Sequence, residues 1–260
     1  MSLNTEKSKT NLAAHIALSC MDLTSLTGQE SEQDIQTLCQ QANTKHGNTA
    51  AICIYPQYIN IAKPLLDKRV RIATVTNFPD GGENIEKAVQ QTQDAVALGA
   101  HEVDVVFPYK ALIAGDENIG FSLVAECKKA CSDKALLKVI IESGELKTPE
   151  LIKKASQLAI NAGADFIKTS TGKVAINATL EAAEIMLNTI KESGSDVGFK
   201  AAGGVRTVED AKNYIELAKN IMGESWVNSR YFRFGASGLL ADVLSTLDGT
   251  TQSGFTAEGY

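Results

Sequence analysis

A closed (β/α)8 barrel in a single domain is the α/β fold this sequence predicts, and three observations point to it. Short apolar, β-branched runs recur about eight times along the 260 residues, near the usual length of such a barrel. Amphipathic helical stretches separate these runs, giving the strand and helix alternation of α/β proteins. Most of the runs are too apolar to leave either face in water, which parallel strands covered by helices explain. A doubly wound open sheet would use the same alternation. No glycine-rich dinucleotide fingerprint follows the first strand, however, and no composition shift marks a linker.

In chain order, the first and weakest run is ALSCMDL near residue 17. AAICIY follows near 50, VRIATVT near 70, EVDVVF near 102 and ALLKVII near 135, then DFIKTS near 165, DVGFKA near 196 and YFRFGA near 231. Between them NIEKAVQQTQDAVALG, TPELIKKASQLAINAG and TVEDAKNYIELAKNIMG carry the apolar spacing of amphipathic helices. A polar or proline-containing cap opens each of the three, and glycine closes them. Residues 1–260 are thus expected to form one barrel domain, with a short N-terminal extension and a flexible C-terminal tail from about 248 to 260. The tail, DGTTQSGFTAEGY, has no pattern that predicts regular structure.

Composition narrows the function. With 44% hydrophobic and 22% charged residues the chain reads as globular, and no apolar run approaches the roughly 18 residues of a membrane span. A net charge of -6 offers no basic surplus for a nucleic-acid backbone. Any bound phosphate is therefore expected on a small molecule, with no nucleic acid and no membrane as partner. The five cysteines make an odd number without a CxxC pair, and the first residues lack a secretory pattern, so a cytoplasmic protein with reduced thiols is expected. His15, His46 and His101 are far apart and HEVD is not HExxH, so neither a metal nor another cofactor is expected.

Charges inside the strands are the main signal of chemistry. Asp104, Lys138, Lys168 and Lys200 each interrupt an apolar run in its middle or at its C-terminal end. In a barrel alternate strand residues point inward and active sites lie at the C-terminal strand ends, so the four can converge on one mouth. A free lysine is only about 0.04% neutral at pH 7 and is a poor nucleophile. Lowering its pKa by about 3 units requires destabilising the ammonium by roughly 4 kcal/mol. A second ammonium about 5 Å away, at an effective dielectric near 20, supplies about 3 kcal/mol of this. Partial desolvation adds to it. One lysine then attacks a carbonyl while its charged neighbour is held by a carboxylate. That carboxylate is expected to favour the second lysine, since a close contact to the nucleophile raises its pKa.

The stretches EVDVVFPY, DFIKTSTGK and FKAAGGVR together closely resemble deoxyribose-phosphate aldolases, a likeness running from CMDLT to FRFGASGLL. The resemblance implies a class I, metal-independent aldolase on a TIM barrel. It would cleave 2-deoxy-D-ribose 5-phosphate to glyceraldehyde 3-phosphate and acetaldehyde, in deoxynucleoside and deoxyribose catabolism. It assigns Lys168 to the Schiff base and Lys200 and Asp104 to proton transfer. Some long members of the family end in a tyrosine that enters the active site, which makes Tyr260 a further proton-transfer candidate. The chain departs from close relatives at Ala201, where some have proline, and at Gly238, where a second serine often follows Ser237. A small phosphosugar and acetaldehyde are the expected partners, with a homodimer as an open assembly.

Three glycine-bearing segments suit a phosphate. Gly203 and Gly204 follow the seventh run, Ser237 and Gly238 follow the eighth, and Gly172 with Lys173 follows the sixth. Glycine lets backbone N–H groups approach an oxyanion, and a helix N-terminus adds partial positive charge. The TGK segment is no P-loop, because its earlier glycine is missing. Asp22 and Cys53 are weaker pocket-lining candidates. Lys138 is either a pocket residue or a structural partner for Asp104 or Glu142. Two rival readings share these features: a non-catalytic phosphosugar-binding barrel, and a sugar-phosphate isomerase.

Overall fold

The computed structural model describes residues 3–250, with side chains from residue 6 onward. Tyr260 lies outside the described residues. Eight parallel strands close into a barrel: β1 Met21–Thr24, β2 Ala51–Ile54, β3 Arg71–Thr76, β4 Glu102–Val106, β5 Leu136–Ile140, β6 Phe166–Lys168, β7 Gly198–Ala202 and β8 Phe232–Ala236. Each pairs with its sequence neighbours, and β8 closes on β1 with Phe234 opposite Met21. The predicted (β/α)8 barrel is thus the observed fold.

Local signals in the sequence explain the helix limits. Asn84 accepts from the Lys87 N–H to start the helix Ile85–Leu98, which ends at left-handed Gly99. Thr148 caps Pro149–Asn161, and Thr207 and Asp210 form a capping box on Val208–Met222. The first run behaves differently from its expectation. ALS belongs to an N-terminal helix, Leu3–Ser19, and the strand begins only at Met21. Ala13, Ala14, Ala17 and Leu18 are buried at helical spacing, packing that helix against Val208–Met222 and the last helix, Leu239–Asp248. The last helix also takes in Asp248, where the tail was expected to begin, and ends at left-handed Gly249.

Two apolar regions result from strand alternation. Outward-facing residues such as Val103, Val105, Phe199, Phe232 and Phe234 join the large core beneath the helices. Leu26, Ala51, Cys53, Ala73 and Val75 form a separate small cluster on β1–β3 and its loop. The opposite wall of the barrel interior is charged. Room for it comes partly from glycine: a Cβ at Gly198 would stand 2.3 Å from the Phe166 ring, and one at Gly235 3.0 Å from Lys200 Cε. No helix among the described residues is long and apolar enough to cross a membrane.

Candidate active site

Register sets the charges side by side in two groups, and their side chains meet inside the barrel. Asp104 stands opposite Lys138, Lys168 opposite Lys200, and Lys200 opposite Arg233. All are buried, Lys138 and Lys200 completely. Asp104 Oδ2 accepts from both Lys168 Nζ and Lys200 Nζ at 2.8 Å, so the two nitrogens lie no further apart than twice that distance. Asp104 Oδ1 accepts from Lys138 Nζ at 2.9 Å. Lys200 also donates to Asp22 Oδ2 at 2.5 Å. Lys138 reaches Glu102 at 2.6 Å and Asp22 at 3.4 Å. Arg233 closes the network on Asp22 at 2.7 Å and Glu102 at 2.9 Å, with its guanidinium over the Phe166 ring.

The network holds four cations, Lys138, Lys168, Lys200 and Arg233, and three carboxylates, Asp22, Glu102 and Asp104. Fully ionised, it would carry one excess positive charge in a buried site, where uncompensated charge is costly. Contacts are distributed unequally: Lys138 touches all three carboxylates, Lys200 and Arg233 two each, and Lys168 only Asp104. The excess proton is therefore held least firmly at Lys168.

The pKa directions follow. Burial, helped by the Lys200 charge, moves Lys168 below the ordinary lysine value despite Asp104. Burial also opposes the Lys200 and Lys138 ammoniums, but their carboxylates outweigh it and both lie above that value. Asp104 is held well below the usual carboxylate range: burial opposes this, and Lys138, Lys168 and Lys200 overcome it.

The expectation that Asp104 would favour Lys200 over Lys168 is corrected by this geometry, since both contacts are 2.8 Å. Discrimination comes instead from Asp22, which gives Lys200 a second carboxylate. Lys138 is a partner of Asp104 rather than of Glu142, whose carboxyl turns to the Thr171 N–H at 3.2 Å. Asp22 and Cys53 are both fully buried at the interior, Asp22 in the network and Cys53 in the apolar cluster. Burial raises the Cys53 thiol, as expected of a packed core residue. Glu102 and Arg233 were not anticipated. Their signal was present: each is a charge within an apolar run, in EVDVVF and FRFGA.

Gly172, Gly203 and Gly204 all adopt left-handed backbone, with φ of 85°, 80° and 89°, in the loops after β6 and β7. Such turns suit glycine and bare the backbone. Lys173 is exposed, and its N–H donates to Thr171 Oγ1 at 3.0 Å. Ser237 is exposed after β8, and Gly238 caps the last helix without a side-chain bond. Among the described residues no three His, Cys, Asp or Glu side chains are grouped to hold a metal ion.

Arg233→Met is expected to destabilise the fold by about 3 kcal/mol, the cost of removing one partner from a buried ion pair. Glu102 would keep only Lys138. A lowered urea midpoint checks this, and an unchanged midpoint would mean that the network contributes little.

A model of the family described as DeoC/LacD family aldolase matches residues 16–244. The chain is similar to a crystal structure of a protein from Coccidioides immitis assigned as a deoxyribose-phosphate aldolase, at 29% identity over 90% of this chain and 86% of that one, with a TM-score of 0.79. A protein of the same assignment from Toxoplasma gondii matches at 20% identity over 95% of this chain and 98% of that one, with a TM-score of 0.86. The deoxyribose phosphate aldolase from Aeropyrum pernix, itself a tetramer, matches at 23% identity over 95% and 99%, with a TM-score of 0.73. At 20% and 23% identity the likeness speaks for the fold alone.

Proposed function

The chain belongs to the DeoC/LacD family of aldolases, and from that premise we propose that it is a class I, metal-independent aldolase acting through a Schiff base on Lys168. The substrate in this reading is 2-deoxy-D-ribose 5-phosphate, and the products are glyceraldehyde 3-phosphate and acetaldehyde. The carrying observation is the unequal sharing of carboxylates, which leaves Lys168 as the network lysine with a single anionic contact. A neutral amine there is the nucleophile that imine formation requires.

Lys168 adds to C1 of the open-chain sugar, and loss of water gives an iminium that draws electrons from C2. The C3 hydroxyl proton leaves toward Asp104, through a water, as the C2–C3 bond breaks. That step releases glyceraldehyde 3-phosphate and leaves an enamine on Lys168. The same proton, relayed by Lys200, returns to C2, and hydrolysis then frees acetaldehyde. Tyr260, beyond the described residues, is a second candidate for that protonation. The left-handed turns at Gly172, Gly203 and Gly204 and the start of the last helix at Gly238 supply backbone N–H groups for the phosphate, with Lys173 and Ser237 beside them. Such an enzyme fits the cytoplasmic breakdown of deoxynucleosides.

The test is chemical trapping. Protein mixed with acetaldehyde and borohydride is expected to gain a reduced two-carbon adduct on the Lys168 peptide, with or without a chelator. An adduct elsewhere, or none while phosphosugar still binds, would favour the non-catalytic binding barrel.

A further inference from the structure

Forming an imine takes an acid as well as an amine, and at that step, before cleavage has delivered a substrate proton to Asp104, the resting charged network has none to spare. The hydroxyl of the carbinolamine leaves as water only if it is protonated. Although burial opposes it, the surrounding cations hold Asp22, Glu102 and Asp104 below the usual carboxylate range, so these carry no proton near neutrality. Lys138, Lys200 and Arg233 hold their protons more firmly than usual.

Glu142 differs from every other buried carboxyl of the described residues. It is fully buried, yet its carboxyl takes its hydrogen bonds from Thr171, whose N–H stands at 3.2 and 3.4 Å from the two oxygens and whose side chain also contributes. Strand alternation places it at the mouth: Lys138 points into the network, Ile140 stands opposite Lys168, and Glu142 follows two residues on. The Thr171 contact draws the carboxyl to the end of β6, just past Lys168. The backbone holds it there in a left-handed conformation, φ 56° and ψ 58°, that L side chains rarely adopt. Two buried hydroxyls without a hydrogen-bond partner, Ser143 Oγ and Ser170 Oγ, belong to the same strand ends. The charged and titratable groups that act on Glu142 are Lys168 from β6, Glu145 from the helix Ser143–Leu146, and Tyr109 from the helix Tyr109–Ile113. Burial outweighs Lys168 and keeps the carboxyl above its ordinary pKa.

We infer that Glu142 is the general acid of imine formation, delivering its proton to the hydroxyl of the carbinolamine on Lys168. The inference rests on the Schiff-base reading of that lysine. As the O–H bond forms, the C1–O bond breaks, the Lys168 nitrogen lone pair becomes the C=N π bond, and water departs. Glu142 is left as a carboxylate facing the iminium. In hydrolysis the carboxylate takes the proton back from the attacking water. Ser143 and Ser170 are placed as hydrogen-bond partners for the water that leaves and returns.

The experiment follows trapping of wild-type, Glu142→Gln and Glu142→Asp protein with acetaldehyde at saturating cyanoborohydride, across pH. Glu142→Gln is expected to form the Lys168 adduct about 100-fold more slowly, the low end of what a positioned proton donor contributes. The sign of the pH effect is specific. Wild-type rates rise as Lys168 loses its proton and fall at the alkaline end as Glu142 loses its own. Glu142→Gln loses the alkaline fall and keeps the rise, whereas Glu142→Asp keeps both at a reduced rate. A wild-type rate and profile in Glu142→Gln would overturn the inference, as would equal slowing in both variants with the alkaline fall intact. Absence of any adduct in the wild-type protein would instead overturn the Schiff-base reading.

Discussion

Lys168→Ala is expected to lower kcat for cleavage by at least about 10^4-fold, as loss of a covalent nucleophile does elsewhere. No neighbouring lysine can replace it. Lys200 is held by Asp22 and Asp104, and Lys138 by these two and Glu102, so neither amine is free of its proton near neutrality. The same substitution is expected to leave the fold intact. Without Lys168 three cations face three carboxylates, and a buried amine with a single anionic contact has been replaced by a small apolar side chain. A thermal midpoint equal to or above wild type, alongside lost activity, would match the account, because functional sites often hold groups that cost stability. Retained cleavage would refute the assignment of the nucleophile. Loss of fold would refute the charge balance.

Stability should also depend on pH in a definite direction. A lysine whose folded pKa is depressed binds more protons when unfolded, so its contribution raises stability as pH climbs from the folded toward the ordinary value. Lys168→Ala removes that rise.

Lys200→Met is the second large effect. A positive charge about 5 Å away contributes about 3 kcal/mol of repulsion at an effective dielectric near 20. Losing it raises the Lys168 pKa by about 2 units and cuts the neutral fraction near pH 7 about 100-fold. Asp104 then serves Lys168 and Lys138 only, which strengthens its hold on the Lys168 ammonium. Cleavage is expected to fall by that factor at neutral pH and to recover in part as pH rises. Recovery separates this electrostatic role from proton relay alone, whose loss would lower the rate at every pH. A uniform loss without an alkaline shift would mean that Lys200 does not set the state of Lys168.

Why some of this was legible in the sequence and some was not has a physical reason. Seven of the eight strands stood out because their apolar runs are bounded by caps and glycines within a few residues, all of it local information. ALSCMDL misled because alanine and leucine suit a helix as well as a strand, and only packing against two later helices decided for the helix. Asp104, Lys138, Lys168 and Lys200 were visible as charges in apolar runs. How they pair was not, because it depends on barrel closure: Arg233 meets Asp22 across most of the chain, and β8 must lie beside β1 for that contact. The partner of Lys138 turned on one feature, the left-handed backbone at Glu142, whose carboxyl meets Thr171 at the end of β6 rather than Lys138. No local pattern announces such a turn at a glutamate.

The central claim is that the shared network leaves Lys168 as its weakest-held proton. A pH titration of the lysine Cε resonances by heteronuclear NMR, with the Lys168 signal assigned by its loss in Lys168→Ala, measures this directly. The account predicts a midpoint below that of an ordinary lysine, moving upward in Lys200→Met. A Lys168 midpoint at or above the ordinary value, unmoved by that substitution, would contradict it.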